Sequence, residues 1–204
     1  MGPRQSGDDG ETIQSRDSIM KILYLHGFGS FFDPESDKIR SLGKLGTVVG
    51  VDIDYNLGSM AVSDRLGRVI LNEKPDLLVG TSLGGYWAAC LGEQWGITFV
   101  ALNPSIRPSE SLLRYVGTKD FRGNDITLTA TQVALYPKMY TGGNGLVIVE
   151  SGDKVLDPVK TLQYCHHNFL TMSFAGGSHR FEQTEKALPF IEQFYNSTET
   201  SYGV

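Results

Sequence analysis

The chain has 204 residues, 40 % hydrophobic and 20 % charged, which suits one globular domain and is too short for two ordinary ones. A net charge of −5, with no cluster of more than two consecutive Lys or Arg, excludes the concentrated positive surface that nucleic acid requires. No apolar run is long enough to span a bilayer, and no apolar segment near the N-terminus reads as a secretory signal.

The first 19 residues are polar, carry Gly2, Pro3, Gly7 and Gly10, and lack hydrophobic periodicity, so they are expected to form a disordered tail. The folded domain is expected over 20–197, with a short C-terminal tail over 198–204. Within the domain, apolar strand-type runs fall at 22–25, 48–53, 77–79, 99–102, 146–150 and 169–174. Helical patterns lie between them at 34–42, 61–72, 83–94, 158–164 and 184–195. Pro34-Glu35 reads as the first turn of the first of these. Val62, Leu66, Val69 and Ile70 mark one face of the second, and Ala187, Phe190, Ile191 and Phe194 mark one face of the last. Strands that alternate with helices predict an α/β protein, a mainly parallel sheet with helices on both faces. Residues 103–143 break this rhythm with Pro104, Pro108, Pro137 and several glycines, and are expected to lie over the strand C-termini as a minimal lid. Cys90 and Cys165 are the only cysteines and form no metal-type pair, so the expectation is a soluble, reduced, cytoplasmic protein.

The chemistry centres on Gly80-Thr81-Ser82-Leu83-Gly84. It follows a strand and opens a helix, the setting of a nucleophile elbow, in which a sharp turn lifts a serine hydroxyl to a helix N-terminus. A serine hydroxyl needs a base within hydrogen-bond reach. Of four histidines, His179 in Gly176-Gly177-Ser178-His179-Arg180 lies past the last strand and before the final helix, where the order Ser, Asp, His places that base. His26 follows the first strand and is read as structural, whereas His166 and His167 are expected to be solvated or capping. The acid should follow the 146–150 strand, where Asp153 is the first choice, Asp157 the reserve and Glu150 a weaker third. The oxyanion needs two backbone donors, assigned to Leu83, next to Ser82, and to Phe28 in His26-Gly27-Phe28-Gly29-Ser30. Gly27 and Gly29 let that backbone approach closely. Arg107 and Tyr86 are the candidate substrate contacts, with a structural ion pair an equal reading for Arg107. Leu112, Leu113 and Tyr115 are further candidates to shape the pocket.

Several of these segments occur together in a known family. Leu25-His26-Gly27-Phe28, Gly80-Thr81-Ser82-Leu83-Gly84-Gly85-Tyr86, Leu102-Asn103-Pro104, Arg107-Pro108, Ser151-Gly152-Asp153-Lys154-Val155-Leu156-Asp157 and Gly176-Gly177-Ser178-His179 appear in the same order in the YqiA-like small bacterial esterases, which this chain resembles from about Met20 to Asn196. The resemblance implies a compact α/β-hydrolase fold, esterase activity on short-chain acyl esters, and Ser82, Asp153 and His179 as the triad. The expected partner is a small-molecule ester, with no nucleic acid, no membrane, no metal and no organic cofactor; a homodimer is left open. An acyl thioesterase or acyltransferase using the same triad is one alternative, and a non-catalytic binding module on a hydrolase scaffold is another.

Overall fold

Leu23 and Leu25 face one side of a central sheet, Ile22 and Tyr24 face the other, and all four are buried. This pattern is apolar on both faces and marks a strand covered on both sides. The computed structural model describes residues 19–120 and 122–199. Apart from Ile19 and residues 198–199, the tails expected at 1–19 and 198–204 lie outside the described residues.

Six strands form the sheet: β1 (Lys21–Leu25), β2 (Thr47–Gly50), β3 (Leu77–Thr81), β4 (Thr98–Leu102), β5 (Gly145–Glu150) and β6 (Leu170–Phe174). They run in the order β2-β1-β3-β4-β5-β6, and every pairing is parallel. One face packs on α2 (Ser59–Glu73), α3 (Leu83–Trp95) and α6 (Pro158–Cys165), through residues such as Leu66, Ala89 and Cys165. The other face packs on α1 (Asp37–Leu42) and α7 (Thr184–Glu199), through Ile39, Leu42, Ala187 and Ile191. The expected α/β architecture is therefore present. In α2 the residues at helical spacing, Val62, Leu66 and Ile70, are buried as expected. Among the described residues no helix is long and apolar enough to cross a membrane.

Two boundaries differ from the sequence expectation, each for a local reason. The strand expected over 48–53 ends at Gly50, and the Ile53 N–H instead donates to His26 Nε2 at 2.8 Å. The helix expected from Pro34 begins at Asp37. Asp33 first draws the chain into a turn, accepting from Glu35 N–H at 2.9 Å on its carboxylate and from Ser36 N–H at 3.1 Å on its carbonyl. Ser36 then caps α1 with its hydroxyl.

The excursion between β4 and β5 holds α4 (Pro108–Ser111), a 3-10 turn over Leu112–Tyr115 and α5 (Ala130–Ala134). It is tied down at both sides of the sheet's C-terminal end. Tyr115 stacks on Phe28 with ring centroids 5.1 Å apart, and Arg114 donates to the Val155 carbonyl at 3.0 Å. Leu112 is buried in the core beneath, so it does not reach a pocket, while Leu113 is exposed.

Candidate active site

At the end of β3 the chain turns sharply, and Ser82 takes φ 58° and ψ −119° before α3 begins at Leu83. A positive φ strains a residue with a side chain and persists only where its surroundings enforce it. Here the enforcement is close packing. A Cβ on Gly80 would come within 2.1 Å of the Gly84 carbonyl oxygen, and one on Gly84 within 2.0 Å of the Leu25 carbonyl oxygen. Both positions therefore need glycine, and the turn they permit holds Ser82 up at the N-terminus of α3.

The structure brings Ser82, His179 and Asp153 into one hydrogen-bonded chain. His179 Nδ1 lies 2.8 Å from Asp153 Oδ2, and His179 Nε2 lies 2.9 Å from Ser82 Oγ. An ionised carboxylate can only accept, so Nδ1 carries the proton and Nε2 is free to accept from the serine hydroxyl. The Asp153 side chain is 2 % exposed and the His179 side chain 23 %. Burial opposes ionisation of Asp153. The His179 N–H and the Leu156 and Val155 amides outweigh it and hold the carboxyl below its ordinary value. Those amides donate to Asp153 Oδ1 at 2.9 and 2.8 Å, so one oxygen is anchored to the loop while the other serves His179. Asp157, the reserve acid, is committed elsewhere: its Oδ1 caps α6, accepting from Val159 and Lys160 N–H at 3.0 and 3.2 Å.

The segments expected to supply the two backbone donors both lie next to the serine. Leu83 is the first residue of α3, so its N–H has no acceptor within the helix. The Phe28 loop presses on the elbow from the other side; a Cβ on Gly27 would lie 3.3 Å from that of Ser82. His26 holds this loop. Its Nδ1–H donates to the Gly27 carbonyl at 2.8 Å, its Nε2 accepts the Ile53 N–H, and its carbonyl accepts from Tyr55 Oη at 2.6 Å. These bonds need a neutral ring, and burial lowers its pKa from the ordinary 6.5. The folded chain thus refuses a proton that the unfolded chain takes up. The ring's contribution to stability is complete above pH 6.5 and is lost progressively as pH falls below it towards the lowered value of the folded chain. Urea unfolding is expected to show wild-type stability falling between about pH 7.5 and about pH 5.5 more steeply than that of His26→Gln, which accepts the same N–H without titrating. Parallel profiles would refute this assignment.

Sequence reasoning missed the support of the histidine loop. Glu150, the weak third choice for the acid, is fully buried at the end of β5. It lies under the loop and accepts from the N–H groups of Ser178 (2.7 Å), Glu182 (3.1 Å) and Gln183 (2.7 Å). Asn103, just past β4 at φ 44°, donates to the carbonyls of Ser178 (2.9 Å) and His179 (3.4 Å) and accepts from Glu150 N–H at 2.7 Å. Asn103 had drawn notice only as part of a family motif, and nothing in its immediate neighbours signals this role.

Two pockets lie against segments next to the elbow, and neither has Ser82 itself in its lining. The larger, about 610 Å³, is lined by Ser105, Arg107, Arg114, Val155, Leu156 and Tyr164 among others. It adjoins the elbow because Ser105 N–H donates to the Ser82 carbonyl at 3.1 Å. The smaller, about 190 Å³, lies beyond Phe28, against Tyr55, Asp54 and Arg122. Arg107 lines the larger pocket and is also paired with Glu110 at 3.0 Å, so both readings of it describe part of its surroundings. Tyr86 must be corrected as a substrate contact. It is 1 % exposed, packed against Trp87 and against Tyr136 of the excursion between β4 and β5, so its ring is enclosed in the core. His166 ends α6 and bonds the Gln163 carbonyl at 2.9 Å, a capping position. Among the described residues no group of three His, Cys, Asp or Glu side chains gathers as metal ligands would.

Residues 21–196 match the model of an uncharacterised protein family, UPF0227. The chain belongs to this family. Its UPF0227 relatives include the protein YcfP of Escherichia coli O9:H4, 27 % identical over 183 residues that span 85 % of this chain and 97 % of YcfP. A UPF0227 protein of Vibrio atlanticus is 26 % identical, over 86 % of this chain and 99 % of its own. The resemblance read from the motifs is thereby borne out. Among solved structures, Est1E from Butyrivibrio proteoclasticus superposes with a TM-score of 0.67 at 15 % identity, covering 89 % of each chain. The monoacylglycerol lipase of Paleococcus ferrophilus gives 0.63 at 16 % identity, over 87 % of this chain and 94 % of its own. Likeness at this identity speaks to the fold, and the fold of this UPF0227 chain is that of the α/β-hydrolases.

Proposed function

We propose that the protein is a serine esterase that hydrolyses carboxylic esters of short acyl chains through an acyl-enzyme. The observation that carries this reading is the continuous hydrogen-bonded chain from Ser82 Oγ through His179 to Asp153. A serine used only to cap a helix has no need of a histidine that is itself oriented by a buried carboxylate. The same engagement weighs against an inactive scaffold.

In the proposed reaction Ser82 Oγ attacks the acyl carbon while His179 Nε2 takes its proton. The negative oxygen that forms is held by the N–H groups of Phe28 and Leu83, aided by the positive end of α3. His179 passes its proton to the departing alcohol as the tetrahedral intermediate collapses to the acyl-enzyme. A water then replaces the alcohol. His179 removes its proton as it attacks, and the acid leaves with Ser82 restored. Asp153 keeps its charge throughout and stabilises the imidazolium. Every step uses the chain's own groups. The larger pocket beside Ser105 would receive one arm of the ester, with Arg107 at its wall.

The test is turnover of p-nitrophenyl acetate and butyrate, with a fluorophosphonate probe to find the reactive residue by mass spectrometry. Label on Ser82 is expected. Asp153→Asn leaves the geometry but favours the wrong imidazole tautomer, and should lower kcat by about four orders of magnitude. Asp157→Asn should leave kcat within about twofold, since the Asn side-chain oxygen caps α6 as the carboxylate does and no bond to His179 is lost. Equal losses in the two variants would refute the assignment of the acid.

A further inference from the structure

Lys38 has no part in the chemistry above, yet its ammonium reaches both halves of the site. It lies on α1, on the face of the sheet opposite to α3. Its Nζ donates to Thr81 Oγ1 at 3.2 Å and to the Arg180 carbonyl. Thr81 immediately precedes Ser82, and Arg180 immediately follows His179. Thr81 Oγ1 is further held by Tyr24 Oη at 3.1 Å, in a buried contact.

The loop that carries His179 has little backbone support of its own. Phe181 N–H bonds the Ser178 carbonyl at 3.0 Å and the Gln183 carbonyl accepts from Ala187 N–H at 3.1 Å, whereas the N–H groups of Ser178, Arg180, Glu182 and Gln183 all go to side chains. Glu150 and Asn103 fasten it to the ends of β5 and β4. Neither reaches β3, where the nucleophile stands. The base and the nucleophile must nonetheless keep their spacing, because a displacement of about 1 Å can cost on the order of a hundredfold in rate. Lys38 supplies the link across that gap.

A lysine on a short surface helix ordinarily extends its ammonium into water. This one is turned inward, where desolvation pulls its pKa down to about 8; the charge of Glu150 opposes that effect and that of Arg180 adds to it. Placing an ammonium there is costly, and both hydrogen bonds it gains go to segments that carry the proposed triad.

We propose that Lys38 is a positioning residue that clamps the His179 loop to the nucleophile elbow, by bridging the Arg180 carbonyl and the Thr81 hydroxyl. The clamp rests on the serine esterase reading for its functional meaning.

Lys38→Met keeps the length of the side chain and removes the donors. Its kcat for p-nitrophenyl acetate should fall roughly ten- to hundred-fold per folded molecule, with KM changed less than about twofold. The rate of Ser82 labelling by a fluorophosphonate should fall by the same factor, since labelling also needs His179 as base. The downfield proton resonance of His179 Nδ1–H should shift or broaden, which loss of stability alone would not cause. Thr81→Val should reproduce part of the effect and Thr81→Ser little of it, which keeps the test open if Lys38→Met folds poorly. Wild-type kcat, labelling rate and resonance in both Lys38→Met and Thr81→Val would overturn the clamp. If the wild-type protein neither turns over esters nor takes the label, the esterase reading falls, and the resonance alone decides whether Lys38 holds the loop.

Discussion

Ser82→Ala is expected to lower ester hydrolysis by roughly four to six orders of magnitude while the protein stays folded. The size follows from the unity of the hydrogen-bonded chain. Without Oγ there is no atom to form the acyl-enzyme, and His179 and Asp153 have nothing to activate but water. The fold should not notice. Ser82 Oγ makes one hydrogen bond, to His179, and Ala accepts the same backbone angles about as well as Ser. The urea midpoint is therefore expected to stay close to the wild-type value, and fluorophosphonate labelling should vanish. Unchanged turnover in a folded Ser82→Ala protein would remove the proposed nucleophile.

Glu150→Ala should have the opposite profile, a large loss of stability with no chemistry removed directly. Three N–H groups, those of Ser178, Glu182 and Gln183, would lose an acceptor that is itself fully buried. Lys38 would lose the nearby charge that favours its protonated form. A buried group stripped of its partners costs far more than the pair was worth, and here the expected loss is about 3–5 kcal/mol. Urea unfolding reads it directly. Glu150→Gln should fall between the two, since its amide retains one oxygen acceptor and turns an N–H₂ towards donors. A loss under about 1 kcal/mol in Glu150→Ala would mean that water satisfies the loop and that the buried carboxylate is not its support. Activity should fall in parallel, because the same loop holds His179.

The parts of this site that were legible in the chain are the local ones. Gly80-Thr81-Ser82-Leu83-Gly84 specifies its own turn, because the missing Cβ atoms at Gly80 and Gly84 are what let β3 and α3 close on each other. The position of His179 after the last strand and of Phe28 after the first followed from chain order in a parallel sheet, whose strand C-termini all meet at one end. Tyr86 shows where such reasoning fails. Expected to touch substrate, it is packed against Trp87 and Tyr136 in the core instead.

Hydrophobic alternation, turn residues and strand order are written into neighbouring positions, and from them the α/β fold, the elbow and the residue types of the proposed triad could be read before any coordinates. The tertiary structure alone decided which carboxylate serves His179, since Asp153 and Asp157 stand on one short turn and differ only in which backbone amides and which ring they meet. It also brought Glu150 and Asn103 to the loop that carries His179, and set Lys38 between that loop and Thr81. Their side chains act on backbone that is distant in sequence, and a charged or polar group is kept in a dry interior only where such partners converge on it. Ser82 could be found by its neighbours in the chain, whereas the residues that aim His179 at it are defined by their neighbours in space.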